Sequence, residues 1–277
     1  MLISGEQGNF WASPEQKARF DSGTLTPAEC DDIFGRNFFL AFEYAVNFEN
    51  ANRKFELPLP VEAHPVSSSE KIEARLSNFI LETASSIMQT LSSAGALAFN
   101  VLDACKAHLY LAEDTLDRLG FDIDDLSPIR GKKFLVLGSG SKKSGDNLLG
   151  SAEPWFCRYI YFSGGQVIGI DIAEQSGEPF RSYAIDLTGK SSLSFLPSGF
   201  FDFVVCTKLV DFDSPSSSQT SNVLKERCDG KALGEMATRL MDESCRVLAN
   251  GGKMVATADR QSRVLEKRGN QLVMLQK

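Results

Sequence analysis

The chain has 277 residues, 43% of them hydrophobic and 23% charged, which is enough apolar material for one large domain or two modest ones. A formal net charge of −7 with no dense Lys/Arg run argues against a nucleic-acid surface, and no apolar stretch approaches the ~20 residues that span a bilayer. The first residues lack the basic start and apolar run of a secretory signal, and six scattered cysteines with no Cys-x-x-Cys pair argue against a zinc ribbon, so a cytoplasmic setting is expected.

Residues 1–26 are polar and glycine-rich, with Phe10, Trp11 and Phe20 interspersed. They read as a tail that pins aromatic rings onto a neighbour, in preference to a lid. Ser13-Pro14-Glu15-Gln16 and Thr26-Pro27-Ala28-Glu29 each combine a hydroxyl cap, a proline at the first helical position and an amide or acid three residues after the cap. The second box opens a helix through Phe38, Phe39, Phe42, Tyr44, Ala45 and Phe48, whose aromatic stripe suits a core. Leu57-Pro58-Leu59-Pro60-Val61 cannot be helical. Ile72, Leu76, Phe79, Ile80, Ile87 and Leu91 then recur at spacings of three and four, as do Leu97, Val101, Leu102, Cys105, Leu109, Ala112, Leu116 and Leu119. Gly120 stops that second helix. A helical N-terminal region, 1–126, is thus expected to precede an α/β region, 127–277, with the boundary at Ser127-Pro128.

Beyond that boundary the apolar runs shorten. Strands are expected at 134–137, 167–170, 183–185, 201–206 and 253–257, each apolar on both faces as in a buried parallel sheet. Helices are expected at 154–162 and 233–248, the latter stopped by Asn250-Gly251-Gly252. A long polar loop covers 141–151 and a serine-rich one 211–219. The chain closes on a hairpin turning at Arg268-Gly269-Asn270.

Three of these strands end on residues suited to a nucleotide. Gly138-Ser139-Gly140 lets backbone turn sharply beside a ligand. Lys143 stands where a dinucleotide fingerprint needs its third small residue, which counts against a nicotinamide oxidoreductase. Gly145-Asp146-Asn147 rules out a phosphate-binding P-loop. Asp171 can accept from both hydroxyls of an adenosine ribose. Asp186 can accept from an adenine amino group with Leu187 near the ring, or simply cap the next turn. Neither His64 nor His108 has a visible partner, and Thr207 and Lys208 follow the fourth strand without either standing out as a base. No Asn/Asp-Pro-Pro-Tyr/Phe run follows that strand, so nucleobase amine methylation is not supported.

Taken with Val167-Ile168-Gly169-Ile170-Asp171, Ala184-Ile185-Asp186-Leu187, Phe201-Asp202-Phe203-Val204-Val205 and Arg246-Val247-Leu248-Ala249-Asn250-Gly251-Gly252-Lys253, the glycine turn resembles the class I S-adenosylmethionine-dependent methyltransferase family over roughly the second half of the chain. The resemblance implies a Rossmann-like, mostly parallel sheet with an antiparallel C-terminal hairpin. It implies S-adenosyl-L-methionine as cofactor and a small-molecule acceptor, with no nucleic-acid or membrane partner. It places Gly138, Ser139 and Gly140 at the methionine half, Asp171 at the ribose, Asp186 and Leu187 at the adenine, Ile172 among the cofactor-binding residues, and Thr207 where cofactor and acceptor meet. Val136 replaces the family's usual acid before the glycines, and Lys142 its third glycine. A non-catalytic binding module of the same fold is therefore the alternative.

Overall fold

The structure is a computed structural model. It describes residues 2–5, 8–11, 14–22, 24, 42, 112–122, 125–140, 154–173, 175, 178–207, 209–217, 220–258 and 261–275. The second capping box, the 57–61 connector, the apolar stripes from 72 to 109, both histidines, the 141–151 loop and Lys208 lie outside the described residues.

The second half of the chain builds a seven-stranded sheet, consistent with a Rossmann-like fold. Its strands are β3 (Lys133–Leu137), β4 (Gln166–Asp171), β5 (Arg181–Ala184), β6 (Phe201–Thr207), β7 (Leu248–Ala258), β8 (Gln261–Arg268) and β9 (Gln271–Met274). They lie in the order β5-β4-β3-β6-β7-β8-β9. The first five are parallel, and β8 and β9 complete the sheet antiparallel.

Period-two alternation explains why these short runs are apolar on both sides. Leu135, Leu137, Ile168, Ile170, Val204, Cys206 and Met254 join one core. Phe134, Val136, Val167, Val205 and Val255, their neighbours in sequence, join another on the opposite face. Helical residues 112–119 (α2) and α3 (Trp155–Phe162) cover the second face. The long helix α5 (Gly230–Val247), preceded by the short α4 (Asn222–Arg227), covers the first. Asp229 caps α5 by accepting from the Ala232 amide at 2.8 Å. Lys253 Nζ donates to Leu119 O at 2.9 Å, tying the end of α2 to β7.

Several elements differ from the sequence expectation, among them the N-terminus and the α5–β7 junction. Residues 2–11 form a hairpin, β1 (Leu2–Gly5) with β2 (Gly8–Trp11), where a tail is expected; α1 (Pro14–Asp21) follows at the first capping box. The α5 helix ends one residue early, because Leu248 turns extended and already pairs with Phe201. The next registered pair is Phe203 with Lys253, so residues 249–252 bulge out of the ladder. Arg246 anchors this helix end, donating to Leu193 O at 2.9 Å and Leu196 O at 2.7 Å. The Arg-Val-Leu run is thus a splice between helix, loop and strand.

The division at 126/127 does not separate two cores. Ala112, Leu116 and Leu119 lie on its N-terminal side, yet pack with the sheet. Phe42 is fully buried on the other face, its ring against Tyr183, Phe200 and Phe201 with centroids 5.6–6.2 Å apart.

Candidate functional site

The chain leaves β3 to build β4 on one side and returns later to build β6 on the other. That makes the carboxyl ends of β3 and β6 the switch point, where a crevice opens in sheets of this kind. Leu137, the last residue of β3, is flanked by Ile170 and Cys206. Gly138 therefore sits between the ends that carry Asp171 and Thr207.

Gly138 and Gly140 both adopt positive φ, +67° and +88°, a region that side chains rarely enter. At Gly138 space is also short, since an added Cβ would lie 3.1 Å from the Leu209 side chain. The turn is stitched to β4. Ile170 O accepts from the amides of Gly138 at 2.8 Å and Ser139 at 3.1 Å. The Gly140 amide donates to Asp171 Oδ2 at 2.9 Å, and the Ala173 amide to Asp171 Oδ1 at 3.1 Å. A half-buried Asp171 is thus fixed in rotamer against the glycine turn, with lone pairs to spare on each oxygen. Ile172 beside it is 43% exposed, an apolar side chain presented at the crevice rim.

Behind the turn lies a buried polar cluster that no sequence motif announces. Ser139 Oγ accepts from Gln175 Nε2 and faces the Cys157 thiol. Burial, then the Glu178 charge, pushes that thiol up, so it stays protonated. Arg158, the single charge on the apolar α3, makes a two-pronged ion pair with Glu178 at 2.8 and 2.6 Å, both side chains buried. A charged residue in Trp155-Phe156-Cys157-Arg158-Tyr159-Ile160-Tyr161-Phe162 is the signal that a buried acid had to exist elsewhere.

Asp186 follows β5, whose last residue, Ala184, pairs with Asp171. Its Oδ1 accepts from the Thr188 amide at 3.0 Å and hydroxyl at 2.7 Å, and its Oδ2 pairs with Arg227 at 2.7 Å. This is the turn-capping alternative, with a guanidinium added from α4. Leu187 is 4% exposed, folded inward by the Asp186 turn among the core side chains. Thr207 ends β6, paired with Thr257 of β7.

Partial burial opposes ionisation of Asp186, but the Thr188 hydroxyl and amide and then Arg227 outweigh it and hold the carboxyl below its ordinary value. A depressed folded value means the contribution is full above the unfolded value near ~3.9 and lost as pH falls through the folded one. A carbon-13 titration of Asp186 is expected to give a midpoint below the ordinary carboxylate value, moving upward in Arg227→Gln.

The serine-rich loop after β6 is held by one acid. Asp211 accepts from the amides of Asp213 and Ser214 and from the Ser217 hydroxyl, and Arg263 of β8 pairs with Asp213 at 2.6 Å. The loop is therefore a shaped rim beside the end of β6. Among the described residues no helix is long and apolar enough to cross a membrane, and no group of three or more His, Cys, Asp or Glu comes together to hold a metal. No family model matches the chain, and no curated protein matches it.

Proposed function

We propose that the chain is a class I S-adenosylmethionine-dependent methyltransferase acting on a small-molecule acceptor in the cytoplasm. The observation that carries this reading is the Gly140–Asp171 hydrogen bond at the sheet's switch point. It joins a close-approach glycine turn to a carboxylate with free lone pairs, one element for each half of an adenosyl amino acid. The exposed Ile172 adds an apolar surface of the kind an adenine ring covers. Gly138, Ser139 and Gly140 would hold the methionine half, Asp171 the ribose hydroxyls, and Ile172 the base.

When bound, the cofactor supplies a methyl group already activated by its sulfonium. The chain's task is to orient the acceptor in line with it and to exclude water. Leu209 against Gly138 and the Asp211-organised loop would serve that task.

A second reading, a binding module of the same fold without activity, draws on Asp186: its carboxylate is committed to Thr188 and Arg227. Isothermal titration with S-adenosylmethionine and S-adenosylhomocysteine tests the first reading. Saturable binding is expected, and no heat at millimolar ligand would remove it. Methyl transfer from labelled cofactor to an acceptor would remove the second.

A further inference from the structure

We propose that Gln175 is a positioning residue for the glycine turn, holding Ser139 from beneath so that the turn meets the amino-acid half of an adenosyl ligand; this rests on the cofactor reading above. Gln175 belongs to the connection between β4 and β5 and is 3% exposed. Its Nε2 donates to Ser139 Oγ, the middle residue of the turn.

The hollow that admits this contact is made by Gly169 on β4. A Cβ there would lie 2.9 Å from Ser139 Oγ, 3.0 Å from Gln175 Oε1 and 3.2 Å from the Phe180 ring. The connection is then locked from its other end, where Glu178 grips Arg158 on α3, the residue after the Cys157 that Ser139 also faces. Turn, connection and helix thus form a closed ring of contacts around Ser139.

The amide is a poor choice for stability alone. Gln175 Oε1 is buried without a donor, and an apolar side chain of similar size would remove that orphaned oxygen. What the amide contributes that methionine cannot is the grip on Ser139. Asp171 is held by separate bonds, to Gly140 and Ala173, so the ribose contact does not pass through Gln175.

The test uses the full chain with two probes, S-adenosylhomocysteine and 5′-methylthioadenosine, which share the adenosyl thioether and differ in the amino-acid half. In Gln175→Met, S-adenosylhomocysteine is expected to bind about tenfold more weakly, the scale of one lost hydrogen-bonded contact, with methylthioadenosine affinity unchanged and the melting temperature no lower than wild type. Ser139→Ala combined with Gln175→Met should lose no more than either alone, because one acts through the other. Equal weakening of both probes would mark a merely structural residue and overturn the inference, as would no change in either. A wild-type chain that binds neither probe overturns the cofactor reading and this inference with it, whereas wild-type binding of both with an unaltered ratio in the variant overturns this inference alone.

Discussion

Glu178→Leu is expected to cost about 3–5 kcal/mol of folding stability, the loss typical of breaking one side of a buried ion pair. The side chains of Arg158 and Glu178 are 4% and 3% exposed, and the guanidinium fork meets both carboxylate oxygens. Removing the acid takes this two-pronged pairing away from a cation buried beside an apolar helix. Urea unfolding should show the midpoint falling with little change in slope. The double variant Arg158→Met/Glu178→Leu should recover most of the loss, since neither charge then has to be desolvated. A single variant as stable as wild type would mean that the cluster is hydrated in solution. By contrast, the exposed Lys231–Glu235 pair, 3.9 Å apart on α5, is of the kind worth only a few tenths of a kcal/mol.

Asp171→Asn is expected to weaken S-adenosylhomocysteine by about 10²–10⁴-fold, from two hydrogen bonds to a charged acceptor at roughly 1.5–3 kcal/mol each. Asparagine matches the carboxylate in shape but offers one acceptor oxygen where the native residue offers two. The Gly140 and Ala173 amides already draw on separate oxygens of Asp171, so the amide must also give up one of those contacts. Far-ultraviolet circular dichroism should stay native while calorimetry reads the loss. Unchanged affinity would remove Asp171 from the site, and with it the best support for an adenosyl ligand.

The sheet was legible because its strands are apolar on both faces and punctuated by Gly138, Asp171 and Asp186, a pattern that needs no tertiary information. The Gly269-Asn270 turn likewise announced the final hairpin, whose Arg268 and Gln271 pair across it. What stayed hidden were partnerships across the sequence. Nothing near Asp186 indicates that Arg227 will reach it, and nothing near Ser139 indicates Gln175. Leu187 shows the reverse case. Its place after a strand-ending acid suited a ligand contact, but a side-chain cap at Asp186 turned the backbone and sent it into the core. The N-terminal hairpin was missed because Leu2–Gly5 and Gly8–Trp11 are too short and too rich in glycine for a period to register.

The aromatic ring at position 42 has a bearing on biogenesis. Among the described residues its ring partners, Tyr183, Phe200 and Phe201, are synthesised more than half a chain-length later. During translation Phe42 emerges long before these three rings, so this aromatic cluster cannot close until most of the polypeptide has left the ribosome. Such distant pairing slows folding and lengthens the time that greasy surface stands open to chaperones or aggregation. A truncated polypeptide beginning at residue 127 would carry that opening permanently, and the ring's place among three other aromatics would go unfilled.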